Sequence, residues 1–213
     1  MTDVESVRAA AARLAGVAVE TPLLEAPLLN AEAGRRVLVK AEGLQRTGSF
    51  KFRGAWAALT ALSDGERARG VLAYSSGNHA QGVAEAARML GAPAVILMPH
   101  DAPALKLANT RAMGAEVVTY RRGEESREAI GAALAEERGL TLIKPYDHPQ
   151  VIAGQGTAGL ELARQARAAG GEAAEVLVCT GGGGLSAGIA LALEAEAPGL
   201  RVRPVEPEGW DDW

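Results

Sequence analysis

Lys51, in the run Thr47-Gly48-Ser49-Phe50-Lys51-Phe52-Arg53-Gly54, is the side chain best suited to covalent chemistry, because it stands among small and apolar neighbours at the mouth of an expected helix. Burial disfavours an ammonium ion, lowers its pKa and frees the amine to attack a carbonyl and form a Schiff base. Lysine is scarce here. Of 22 lysines and arginines only Lys40, Lys51, Lys106 and Lys144 are lysines, so each can be weighed separately. Taken alone, the segment reads first as a solvated lysine at a helix start.

Two further segments alter that balance. Ser75-Ser76-Gly77-Asn78-His79-Ala80-Gln81-Gly82 follows the apolar run 71–74 and leads into helically spaced residues 83–90. A strand, a tight turn and a helix start would present backbone N–H groups, hydroxyls and an amide to an anion such as a carboxylate. A plain connection in which Ser75 or Asn78 caps the helix is the competing reading. Thr180-Gly181-Gly182-Gly183-Gly184-Leu185-Ser186-Ala187-Gly188 lies between an apolar β-type run and an alanine-rich helix, which argues against a linker. Consecutive glycines let a backbone wrap a bulky anion at a positive helix end, so phosphate is the natural ligand. No Gly-Lys-Ser/Thr follows, so this is not a Walker loop.

These segments need elements to hold them. Strand-like runs at 37–41, 71–74, 94–98, 116–120, 176–179 and 202–205 alternate with helical patterns at 50–62, 78–90, 103–113, 124–138, 152–169 and 189–195, after an opening helix at 4–14. The alternation predicts βαβ crossovers and a parallel sheet, hence an α/β fold. Cys179, the lone cysteine, is expected as a small core residue of a buried strand.

The three segments, in this order, resemble the fold-type II pyridoxal-phosphate enzymes, specifically the threonine/serine dehydratase and serine racemase branch. Val151-Ile152-Ala153-Gly154-Gln155-Gly156-Thr157 and the closing Val205-Glu206-Pro207 with Asp211-Asp212 extend the likeness over nearly the whole chain. It implies an α/β fold of two parallel-sheet, three-layer domains of the tryptophan-synthase-β-like kind. A small domain would span 52–144, and 1–51 with 145–213 would form a large, incomplete one.

By the same resemblance, Lys51 would hold pyridoxal 5'-phosphate covalently, pass it to the substrate amine and remove the α-proton. Phe50 would shape the pocket. Gly181, Gly182, Gly183, Gly184 and Leu185 would bind the phosphate, and Asn78 the ring hydroxyl. Ser75, Ser76, Asn78 and His79 would cradle the substrate carboxylate. The reaction implied is elimination of water from L-threonine or L-serine, giving 2-oxobutyrate or pyruvate and ammonia. Ser76 matches a serine that reprotonates the substrate in serine racemases, which adds racemisation as an alternative to a binding or capping hydroxyl. Glu206, Asp212 and the backbone carbonyl of Trp210 resemble a site for Mg²⁺, Ca²⁺ or Mn²⁺, although the family usually has a small residue where Trp210 stands.

Family members continue for about another third beyond this point, where a serine, threonine or cysteine pairs with the pyridine nitrogen; the expectation is a C-terminally truncated chain with an exposed sheet edge. A Rossmann domain would explain the glycine runs but not Ser49-Phe50-Lys51. An inactive fragment retained for interaction is a further alternative. Cysteine-synthase-like β-replacement is disfavoured, because that branch resembles Thr-Ser-Gly-Asn-Thr at the asparagine loop.

Composition limits the remaining classes. A 48% apolar chain with net charge −4 and no basic run longer than Arg121-Arg122 speaks against nucleic acid or an anionic membrane as partner. With no signal-like N-terminus and one cysteine, a cytoplasmic protein is expected, its partner a small amino-acid substrate. The resemblance implies a homo-oligomer at full length.

Overall fold

The computed structural model describes residues 2–209 and 211. The chain opens with helix α1 (Val4–Leu14), capped where the Asp3 carboxylate accepts from the Ser6 N–H. Strand β1 (Leu23–Glu25), helix α2 (Pro27–Ala33) and strand β2 (Leu38–Lys40) follow, and the two strands pair antiparallel with Leu23 opposite Lys40. This corrects the expectation for 37–41, which was placed among parallel strands. Its partner β1, a three-residue strand lying between two prolines, is too short to show a period of two.

A regular βα succession then begins. Helices α3 (Lys51–Thr60) and α4 (Asp64–Arg69) lead to β3 (Val71–Tyr74), α5 (Asn78–Leu90), β4 (Ala94–Pro99), α6 (Ala104–Ala112), β5 (Glu116–Tyr120), α7 (Arg127–Arg138) and β6 (Thr141–Leu142). The four strands form one parallel sheet in the order β5-β4-β3-β6, with Val71 opposite Ala94 and Val95 opposite Glu116. Every residue of β4 is buried, as expected where helices cover both faces of a parallel sheet. Phe52, Leu59, Val71, Ile96, Met98 and Ile143 are among the fully buried side chains of its core.

The last elements are α8 (Pro149–Ala168), β7 (Ala174–Cys179), α9 (Gly184–Glu196) and β8 (Leu200–Val205), with β7 and β8 paired parallel. Helix α8 starts three residues before the expected 152, since Pro149 occupies its first turn and the His148 side chain accepts from the Gln150 N–H. A second apolar cluster joins Ala163, Val178, Ile189, Leu193 and Leu200. Cys179 is not in it. Side chains alternate along β7, so Val178 points inward while Leu177 is 72% exposed and Cys179 is exposed as well, which corrects its expected burial.

Helix α8 is the spine that sets the lysine helix against the glycine-loop helix. A methyl group on Gly154 would come within 2.5 Å of the Arg53 carbonyl oxygen on α3, and one on Gly188 of α9 within 2.4 Å of the Ile152 carbonyl oxygen. Backbone therefore touches backbone on both sides of α8, an approach that only glycine permits. The Val151-Ile152-Ala153-Gly154-Gln155-Gly156-Thr157 motif is thus a helix-crossing motif. Among the described residues no helix is long and apolar enough to cross a membrane.

Candidate active site

Lys51 is the first residue of α3, directly after Phe50 at the cap position. Its Nζ donates to the Pro145 carbonyl oxygen at 2.7 Å and lies 5.3 Å from the centre of the Phe50 ring. Burial holds its pKa below the ordinary lysine value, opposed by a smaller effect of Cys179 at the end of β7. The amine is therefore easier to deprotonate than a surface lysine, which is what a nucleophile or proton acceptor requires.

The remaining lysines have other surroundings. Lys40 forms an ion pair with Glu161 at 2.5 Å and donates to the Thr21 carbonyl oxygen at 2.6 Å. Lys144 lies 3.6 Å from Asp147. Lys106 is half-buried with its Nζ 3.8 Å from where a methyl group on Gly77 would lie, facing the asparagine loop.

Two residues beyond Lys51, Arg53 fixes the start of α3. Its guanidinium is 1% exposed and grips two carboxylates bidentately, Glu42 at 2.7 and 2.8 Å and Glu161 at 2.7 and 2.9 Å. Burial alone would lower the arginine pKa, but these two partners raise it. Glu42 is likewise held below the usual carboxylate range, burial being outweighed by Arg53. With Lys40 included, two cations balance two anions, which is what lets such charges sit in the interior. Sequence reading missed this network; its one signal was an arginine inside an otherwise apolar helix.

The asparagine loop joins β3 to α5. The Ser75 Oγ accepts from the Gly77 N–H at 3.1 Å, Ser76 is half-buried, and Asn78 is exposed in the first turn of α5. The loop is brought to the lysine at Gly82, where a methyl group would lie 3.1 Å from the Lys51 carbonyl carbon and oxygen. His79 is placed differently from its expected substrate-facing role. Its ring is 2% exposed, and Nε2 donates to the Ile143 carbonyl oxygen at 2.9 Å. Burial drives its pKa down to about 4, so the ring is neutral, and its buried Nδ1 has no partner. Of His79, only the backbone N–H is left as a candidate ligand contact.

The glycine loop runs into α9 earlier than the expected 189. Gly183 takes the cap position with φ 77°, and Gly184, Leu185 and Ser186 form the first turn. A glycine cap offers no side-chain oxygen to that turn, so the positive helix end is left to an external anion. Around Gly181 a methyl group would meet nothing within 4 Å, so the loop is open on that side. On another side Tyr146 covers it, since a methyl group on Gly182 would overlap the tyrosine ring.

These residues fit pyridoxal phosphate: a half-buried amine of lowered basicity, a phosphate-type helix start and a polar loop converge around the Pro145–Tyr146 turn. The metal expectation has less support. Glu206 follows β8 and is half-buried, while Trp210 and Asp212 lie outside the described residues. Among the described residues no three His, Cys, Asp or Glu side chains gather as a metal site.

Comparison with known proteins agrees with this geometry. The L-threo-3-hydroxyaspartate ammonia-lyase of Pseudomonas sp is 53% identical over 203 residues, which cover 95% of this chain and 62% of that protein. The crystal structure of a T.th. threonine deaminase superposes with a TM-score of 0.91 at 51% identity, covering 99% of this chain and 67% of that one. Maize serine racemase superposes with a TM-score of 0.94 at 39% identity, covering 99% and 63%. The chain thus spans less than two thirds of the Pseudomonas relative's length. The family model described as pyridoxal-phosphate dependent enzyme matches residues 14–213, and with the lysine, the asparagine loop and the glycine loop in place, the chain belongs to that family.

Proposed function

We propose that this chain carries the catalytic lysine and the phosphate loop of an ammonia-lyase that removes water from a 3-hydroxy amino acid, L-threonine or L-serine. The carrying observation is Lys51, a half-buried amine of depressed pKa linked through the Pro145–Tyr146 turn to the first turn of α9. Bound pyridoxal phosphate would supply a sink for the electron pair left on the α-carbon. The N–H groups of Gly184 and Leu185 would hold its phosphate, and Asn78 its ring hydroxyl. Ser75, Ser76 and the backbone of the asparagine loop would orient the substrate carboxylate.

Lys51 would anchor the cofactor, give it up to the substrate amine, and with Nζ so freed take the α-proton. Loss of that proton with the β-hydroxide is loss of water; hydrolysis of the resulting enamine then gives a 2-oxo acid and ammonia. The test is release of ammonia together with 2-oxobutyrate or pyruvate by the cofactor-loaded protein. Cysteine formation from O-acetylserine and sulfide without elimination would overturn it.

A second substrate of this class, L-threo-3-hydroxyaspartate, is favoured by the Pseudomonas relative and by Lys106, whose charge faces Gly77 and suits a second carboxylate. Lys106→Met should then depress kcat/KM for hydroxyaspartate more than for L-threonine, and equal losses would remove this reading. Racemisation through Ser76 is supported by the likeness to maize serine racemase and is read out as D-serine formed from L-serine. A divalent ion at Glu206, Trp210 and Asp212 stays a proposal from resemblance, checked by the effect of a chelator on activity. The same holds for a cytoplasmic location and a homo-oligomer.

A further inference from the structure

The segment 143–146 touches all three parts of the site. Ile143 is tied to β3, its N–H donating to the Leu72 carbonyl oxygen at 2.8 Å, and its own carbonyl receives His79 from the asparagine loop. Pro145 receives Lys51 on its carbonyl oxygen. Tyr146 meets the glycine loop twice. A methyl group on Gly182 would lie 2.1, 2.3 and 2.4 Å from Cγ, Cδ1 and Cδ2 of the tyrosine ring. One on Gly184 would lie 2.9 Å from the Tyr146 carbonyl oxygen and 3.0 Å from its Cα.

We propose that Tyr146 is a positioning residue of the cofactor pocket, its ring lying on Gly182 and its backbone against Gly184 so that the phosphate loop is held at a set distance from Lys51. The inference rests on the reading that pyridoxal phosphate is anchored at Lys51. Tyr146 belongs to neither main apolar cluster and is 44% exposed, so general core packing does not explain its placement. The contact is made by the ring body; the phenol oxygen forms no hydrogen bond among the described residues, so the flat ring and not the hydroxyl is what the loop uses. Glycine flanked by an aromatic wall loses the freedom that otherwise makes a multi-glycine loop costly to order around an anion. Because the preceding carbonyl receives Lys51, the same wall fixes the lysine relative to the loop.

Three ligands separate the effects: inorganic phosphate and pyridoxal phosphate, which use the loop, and pyridoxal, which has the aldehyde and ring hydroxyl for Lys51 and Asn78 but no phosphate for the loop. Tyr146→Ala should weaken both phosphate-bearing ligands about tenfold while binding pyridoxal as the parent does, whereas Tyr146→Phe should stay within about twofold for all three. Phosphate affinity is read by calorimetry, and the aldehydes by the absorbance of the lysine adduct. If Tyr146→Ala does not fold, Tyr146→Leu, which keeps bulk without a flat ring, should show a loss of about threefold for phosphate. Unchanged phosphate binding, or equal losses for pyridoxal and pyridoxal phosphate, would overturn the inference. A parent protein that forms no lysine adduct, yet loses phosphate affinity on Tyr146→Ala, would overturn the cofactor reading while sustaining Tyr146 as the wall of the loop.

Discussion

Acidification should destabilise this protein through His79. In the folded chain burial depresses the pKa of this ring to about 4, against 6.5 for an ordinary histidine. Between those two values the unfolded chain binds a proton that the native ring refuses, so stability is full above pH 6.5 and falls as the pH drops toward 4. The linkage relation gives a loss of about 2 kcal/mol at pH 5 and about 3 kcal/mol at pH 4. His148 titrates in the same direction, since burial and then Lys144 lower its pKa as well, so the two must be separated. His79→Gln does this, because a glutamine amide can still donate to the Ile143 carbonyl while carrying no titratable proton. Urea unfolding of parent and variant at pH 7 and pH 5 isolates the His79 share, His148 being common to both. The variant should lose about 2 kcal/mol less than the parent between these pH values. Equal losses in the two proteins would show that His79 is not held neutral by burial.

Gly188→Ala would push a methyl group to 2.4 Å from the Ile152 carbonyl oxygen, with backbone on both sides of the contact, and should cost about 2 kcal/mol or more in denaturant unfolding. Arg53→Met leaves the half-buried Glu42 without its ion pair and Glu161 with Lys40 as its remaining cation; a loss of about 3 kcal/mol is expected by thermal or chemical unfolding, and a loss below about 1 kcal/mol would show the network to be dispensable.

The order of elements was legible because apolar runs and helical spacing are local properties. Strands β3 and β5 and helices α1 and α5 fall on their expected bounds, and each is flanked by residues that end it, as Gly91 with φ 66° ends α5. What escaped was short or non-local. Strand β6 has two residues, and β1 has three. Cys179 was misplaced because an apolar run of four was read as buried on both faces, while β7 buries only alternate residues.

At the site, the chemistry-bearing residues announced themselves by type and spacing, but their partners did not. Nothing near His79 in sequence foretells that its ring turns inward to Ile143, 64 residues away. Tyr146 carried no motif at all, and its importance arises only from packing against Gly182, far along the chain. The glycines at 82, 154 and 188 were visible, yet their use as contact points between helices depends on a crossing that periodicity does not encode.

Everything proposed for the site depends on Lys51 being the residue that takes pyridoxal phosphate. Incubation with the cofactor, reduction with borohydride and peptide mapping probe this without reference to any substrate. One reduced adduct is expected, on Lys51, formed more readily as pH rises toward the depressed pKa of its amine. An adduct on Lys40, Lys106 or Lys144 with none on Lys51 would overturn the assignment.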